Sequence, residues 1–155
     1  MGEDQALIHA TCLALGDKGI LIIGPPGSGK SDLALRLIDS SGSGIGTEVM
    51  TAKLVSDDQT LVTRRGDLLF GTSPATIRGK LEIRGVGVVD VPFQRETPVS
   101  LIVSLKPVTQ IERMPPKTSK SPLYCGISLP EISIDPASAS ASARVHAALG
   151  HLARG

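Results

Sequence analysis

Aromatic side chains are nearly missing from this chain: its 155 residues include no tryptophan, one tyrosine and two phenylalanines. A core built from it must therefore be aliphatic, packed from leucine, isoleucine and valine. Apolar residues still make up 41% of the total, which argues against disorder over most of the length and for one domain with a real hydrophobic core. A dominant charge sign is lacking too. The formal net charge is +1, and no lysine or arginine cluster is long enough to attract a nucleic acid, so protein or small-molecule partners are expected. Only two cysteines occur, Cys12 and Cys125, without C-x-x-C or histidine-rich spacing, and both read as small core fillers of a reduced protein. There is no signal-peptide pattern, no apolar run of roughly eighteen residues and no internal repeat, so a cytoplasmic protein away from the membrane is expected.

What the chain does contain is "ILIIGPPGSGKSDLAL", residues Ile20 to Leu35. The turn reads G-x-x-x-x-G-K-S, with Gly24, Gly29, Lys30 and Ser31 at the defining positions and Pro25, Pro26, Gly27 and Ser28 between them. A phosphate-binding loop needs glycine because its backbone must curl until several N–H groups point into one concavity. The helix that follows adds unpaired donors and a positive dipole end. Lys30 is then placed to reach the β- and γ-phosphates and Ser31 to ligate Mg²⁺, which makes ATP with Mg²⁺ the expected cofactor. The context agrees on both sides: "ILII" reads as a buried strand, and Leu33, Ala34, Leu37 and Ile38 form one helix face.

Upstream, "ALIHATCLAL" reads as a strand joined to "ILII" through a Gly16-Asp17-Lys18-Gly19 turn, the signature of a hairpin. Downstream, Ser40 to Glu48 has the composition of a surface loop, "KLVSDDQTLV" offers a strand ending in two acids, and "DLLFGTSP" a further short strand and turn. "VSLIVSL" is a buried strand candidate. Lys106 to Pro130, rich in proline, reads as an irregular excursion, and the alanine-rich tail as a helix starting at Asp135-Pro136. Asp57 and Asp58 close the "KLVSDD" strand beside the phosphate loop, where one carboxylate suits a metal and the other a proton. Side chains alternate across a strand, so adjacent acids should have different roles. In "LEIRGVGVVDV", Glu82 and Arg84 lie two apart and share one strand face, suited to holding metal and phosphate together. Gly85 and Gly87 are costly in a strand unless a partner protein, a phosphate or a bulge explains them.

Together, "IHATCLAL", "GILIIGPPGSGKSDLALRLI", "KLVSDDQT" and "LEIRGVGVVDV" resemble the catalytic domain of HPr kinase/phosphorylase, bacterial enzymes that phosphorylate a serine of the phosphocarrier protein HPr and remove that phosphate. The resemblance runs from about Ile8 to Arg113 and more weakly into the tail. It implies that Gly24 to Ser31 bind ATP, that His9 lies in the active site, and that one of Asp57 and Asp58 serves as base for phosphorylation and acid for dephosphorylation, without saying which. It further implies metal ligation by Glu82 beside Ser31, with Asp58 also assigned to the metal. Leu81 to Val91 would serve both activities, and Arg113, in "IERM", would be a further catalytic residue. The implied fold is a single compact α/β phosphate-loop domain over residues 1–155, with a carboxykinase-like mixed sheet and few helices. The implied assembly is a hexamer. The chain resembles the short, alphaproteobacterial-like form, which begins almost at the catalytic domain. "GPPGSGKSD" replaces a more usual "GDSGIGKSE", and the tail matches poorly the basic stretch linked to dephosphorylation. Two other functions are compatible with a phosphate loop: a small-molecule kinase, for which Lys117 to Lys120 would be a thin lid, and an ATP-binding regulatory protein without transfer.

Overall fold

The computed structural model describes residues 4–40, 42, 45, 49–76, 78–114 and 123–153. Most of the Ser40 to Glu48 loop and the whole Lys117 to Lys120 stretch lie outside them. The chain begins with β1 (Gln5–Ile8), bends at His9 and continues as β2 (Ala10–Leu15) and β3 (Lys18–Ile23). The single strand expected from "ALIHATCLAL" is thus two strands. Leu15 pairs with Lys18, leaving Gly16 and Asp17 as a two-residue turn. Gly16 has φ 65, the left-handed value a type II′ turn needs at its first central position. The phosphate loop leads from β3 into α1 (Lys30–Asp39), followed by β4 (Ala52–Ser56), β5 (Thr60–Arg65), β6 (Leu68–Thr72), β7 (Lys80–Ile83), β8 (Gly87–Asp90) and β9 (Glu96–Leu105). A short 3-10 turn at Val108–Gln110 precedes β10 (Leu123–Tyr124), β11 (Ile127–Ser128), β12 (Glu131–Ile134) and α2 (Ala141–Ala153).

The main sheet runs β1-β5-β6-β9-β3-β2-β4, with β12 also on β9. β9 lies parallel to β3 and to β12, and the other pairs are antiparallel, so the sheet is mixed, as expected. Both faces are buried. Leu13, Leu15, Ile20, Ile22, Leu101 and Val103 pack with Leu33 and Leu37 of α1 and Val145 and Leu149 of α2. The alternate residues Cys12, Ala14, Leu21 and Ile102 pack with Val62 and Leu69 as the sheet curls over itself. The core is aliphatic as the composition requires, and truncating one of these leucines to alanine costs about 2–5 kcal/mol.

Some expectations need correction. Cys12 is a core filler, and burial pushes its thiol pKa far up. Cys125 is only partly so: half-buried against the Val62 and Leu69 side of the core, it forms with Gly126 the tight β10–β11 turn, φ 52 and 81, where both residues are left-handed as a type I′ turn demands. The last helix starts at Ala141, not at Asp135-Pro136. Asp135 is spent on a turn, its carboxylate accepting the Ala137 N–H at 2.9 Å and the Val108 N–H at 2.8 Å. That turn is seated behind the phosphate loop. A Cβ on Gly29 would lie 3.2 Å from Pro136 Cβ, and Arg36 of α1 donates to the carbonyls of Pro136 and Ser138 while pairing with Asp32 at 2.8 Å. Among the described residues no helix is long and apolar enough to cross a membrane.

Candidate active site

The phosphate loop leaves the carboxyl end of β3, a strand held between β2 and β9. Ser28 N–H closes back on Pro25 O at 3.0 Å, and a Cβ on Gly24 would sit 2.5 Å from Ser28 Oγ, so a side chain here would force Ser28 to move. Gly29, φ 105, enters α1 without any side-chain cap, which leaves the first-turn amides available to an anion. Lys30 is buried and arches over the loop, its Nζ donating to Gly24 O at 3.0 Å and Pro25 O at 3.3 Å. Ser28 Oγ is buried without a partner among the described residues. Uncapped amides, an ammonium and an unpaired hydroxyl form a cradle that fits a polyphosphate.

The two aspartates follow β4 and diverge at once. Asp57 Oδ1 accepts hydrogen bonds from Ser31 Oγ at 2.9 Å and Thr11 Oγ1 at 3.0 Å. Asp58 has φ 67, a left-handed conformation rare outside glycine, and its N–H donates to Thr11 Oγ1 at 3.2 Å. The turn is closed by Gln59 N–H on Asp57 O at 2.8 Å and by the Ser56 hydroxyl on Gln59 O. The acid hydrogen-bonded to Ser31 is therefore Asp57, not the Asp58 that the resemblance assigned to the metal, and Asp58 is exposed in the adjoining cleft. Among the described residues no three His, Cys, Asp or Glu side chains gather into a metal cage. A hydroxyl and one carboxylate beside a phosphate cradle still fit Mg²⁺, which keeps waters and phosphate oxygens in its shell.

Facing this corner across a cleft of about 870 Å³ stands the β7–β8 hairpin. "LEIRGVGVVDV" is not one strand: Ile83 pairs with Gly87, and Arg84, Gly85 and Val86 form the turn, so Glu82 and Arg84 do not share a strand face. Gly85 (φ 87) and Gly87 (φ 116) are needed for their backbone conformation, because a Cβ on either would meet open space. The hairpin stands apart from the main sheet, with Glu82, Arg84 and Val86 exposed along the cleft. Within one cleft the structure thus gathers Pro26, Gly27, Gly29, Lys30, Ser31, Asp57, Asp58 and Glu82. His9, in the exposed bend before β2, and Arg113, in an exposed bend after the 3-10 turn, are not among its lining residues. Thr11 escapes sequence reasoning, since a threonine inside a buried strand carries no motif.

Comparison with known proteins is consistent with this architecture. The family model described as HPr Serine kinase C-terminal domain matches residues 3–149. HPr kinase/phosphorylase of Lactiplantibacillus plantarum is 30% identical over 145 residues, covering 86% of this chain and 42% of that protein. Its counterpart in Clostridium acetobutylicum is 38% identical over 88 residues, 57% of this chain and 26% of that protein. The chain spans less than half the length of these curated relatives. The solved HPr(Ser) kinase/phosphatase of Coxiella burnetii superposes with a TM-score of 0.75 at 25% identity, covering 96% of this chain and 92% of that one.

Proposed function

The chain belongs to the HPr Serine kinase C-terminal domain family, and from that premise we propose that it transfers the γ-phosphoryl group of ATP to a serine hydroxyl of the phosphocarrier HPr, and that the same site serves the reverse removal. The observation that carries this is the divergence of the aspartate pair. Asp57 is bonded to the phosphate-loop serine, while Asp58 is free for a substrate hydroxyl.

In this mechanism the loop amides and Lys30 hold the phosphate oxygens and neutralise charge as transfer proceeds. Lys30 exchanges its bonds to the Gly24 and Pro25 carbonyls for the nucleotide. Ser31 and Asp57 would hold Mg²⁺, with Glu82 contributing from the facing hairpin. Bound there, Mg²⁺ would supply charge neutralisation to the phosphates. Asp58 accepts the proton of the attacking serine hydroxyl and, when the phosphate is removed, returns it to the leaving serine oxygen as the phosphoryl group passes to inorganic phosphate or water. Little covalent chemistry is asked of the protein, so positioning and electrostatics account for the rate. His9 and Arg113 receive no step, because neither lines the cleft. We also take residues 1–155 as one catalytic unit, acting in the cytoplasm and assembling as a hexamer.

Incubating the purified protein with Mg²⁺, γ-labelled ATP and HPr tests this directly. Label on an HPr serine is the expected result. Nucleotide binding with no label on HPr would leave a regulatory ATP-binding protein, and label on a small hydroxylated acceptor instead would make it a metabolite kinase.

A further inference from the structure

Thr11 lies on β2, wholly buried, on the sheet face that also carries Leu13 and Leu15. A hydroxyl has one proton to donate and lone pairs to accept with. Both capacities are used on the aspartate corner, 46 residues along the chain: Oγ1 donates to Asp57 Oδ1 at 3.0 Å and accepts the Asp58 N–H at 3.2 Å. The first bond fixes the oxygen that Ser31 Oγ reaches at 2.9 Å. The second holds the amide of a residue in a left-handed backbone, φ 67, which is uncommon outside glycine although aspartate adopts it more readily than most. One atom therefore orients one acid and pins the left-handed turn that separates it from the next.

We propose that Thr11 is a positioning residue for the aspartate pair: through a single hydroxyl it sets Asp57 against Ser31 and keeps Asp58 turned into the cleft. This rests on the kinase function above and adds to it the group that gives two adjacent carboxylates different surroundings. Polar partners one shell behind a metal-associated ligand typically matter by 10–100-fold. Packing alone would not depend on the hydroxyl.

The test compares Thr11→Val, which keeps the shape and loses the hydroxyl, with Thr11→Ser, which keeps the hydroxyl and loses a methyl group. Should the valine variant not fold, Thr11→Ala against Thr11→Ser isolates the same group. ATP affinity is titrated calorimetrically across Mg²⁺ concentrations, transfer to HPr is timed, and each variant is melted without nucleotide. The expected result is a roughly tenfold or greater loss in Mg²⁺-dependent ATP affinity or in transfer for valine, with serine within about threefold of wild type. Wild-type Mg²⁺ dependence and transfer in the valine variant would overturn the proposal, as would serine being impaired as severely as valine. Wild-type protein that binds Mg-ATP yet leaves HPr unlabelled would refute the kinase function alone, and the binding titrations would still decide Thr11.

Discussion

The two walls of the cleft are built in opposite ways. The inner wall, from the phosphate loop to Asp58, is held together by hydrogen bonds that tie Ser31 and Thr11 to Asp57 and Lys30 to the Gly24 and Pro25 carbonyls, on strands and a helix packed into the core. The outer wall is a two-stranded hairpin whose turn is exposed and whose Glu82 and Arg84 make no side-chain hydrogen bond to another described residue. A preorganised group stabilises developing charge without reorganising at the moment of reaction. The difference therefore assigns rate to the inner wall and accessory binding to the outer one.

The largest expected effect lies where the inner wall meets the phosphates. Replacing Lys30 by methionine keeps the apolar stem and removes the charge, and transfer to HPr should fall by on the order of a hundredfold or more. Near-normal turnover would take the phosphate loop out of the mechanism. Next come the two acids. Asp58→Asn should bind Mg-ATP normally while slowing transfer on the order of a hundredfold, whereas Asp57→Asn should also lose Mg²⁺-dependent affinity. Matching behaviour of the two variants in parallel binding and rate measurements would erase the division inside the inner wall.

On the outer wall the effects should be smaller. Glu82→Gln is expected to raise the Mg²⁺ needed for half-maximal transfer several-fold while changing stability by less than about 0.5 kcal/mol, since Glu82 is exposed. If its loss rivals that of Lys30, the contrast between the walls is wrong. Gly87→Ala tests the hairpin turn. Its Cβ would meet open space, so only the backbone at φ 116 resists it, at a cost of about 1–3 kcal/mol. Transfer to HPr should weaken more than ATP binding.

The smallest effect lies away from both walls. His146 of α2 is buried, and burial holds its pKa below the usual histidine range, partly offset by a hydrogen bond to the Ser40 backbone. The unfolded chain therefore binds a proton more readily than the folded one. Stability should be complete above the ordinary value of about 6.5 and decline as pH falls below it. His146→Gln should flatten that acid-side decline in melting curves, and an unchanged slope would assign the decline to other groups.

The phosphate loop, the β2–β3 hairpin, the strand before the two acids and the strand at Glu96–Leu105 were legible because their signals are local: a spacing, a turn pair, an apolar run. What could not be read depends on distance. The parallel pairing of Glu131–Ile134 with β9 is set by packing, and a four-residue strand flanked by Pro130 and Pro136 looks like loop. Which aspartate meets Ser31 is decided by Thr11, reached only when β2 and β4 pair. The glycines of "RGVG" announced an unusual backbone, but a periodicity of two cannot distinguish a bulged strand from a hairpin turn when the turn residues themselves alternate.

The turn at Asp135–Ser140, seated against Gly29 and tied to Arg36, makes the far end of the polypeptide a buttress for the loop that grips phosphate. Mechanical coherence of the site is then a property of two segments about a hundred residues apart in the chain, and nucleotide binding and tail docking should strengthen one another. ATP ought to slow hydrogen exchange at the amides of Ser138 and Ala141, although neither lines the cleft. Cutting the chain before Asp135 should loosen the grip on ATP while leaving every residue of the G-x-x-x-x-G-K-S motif in place.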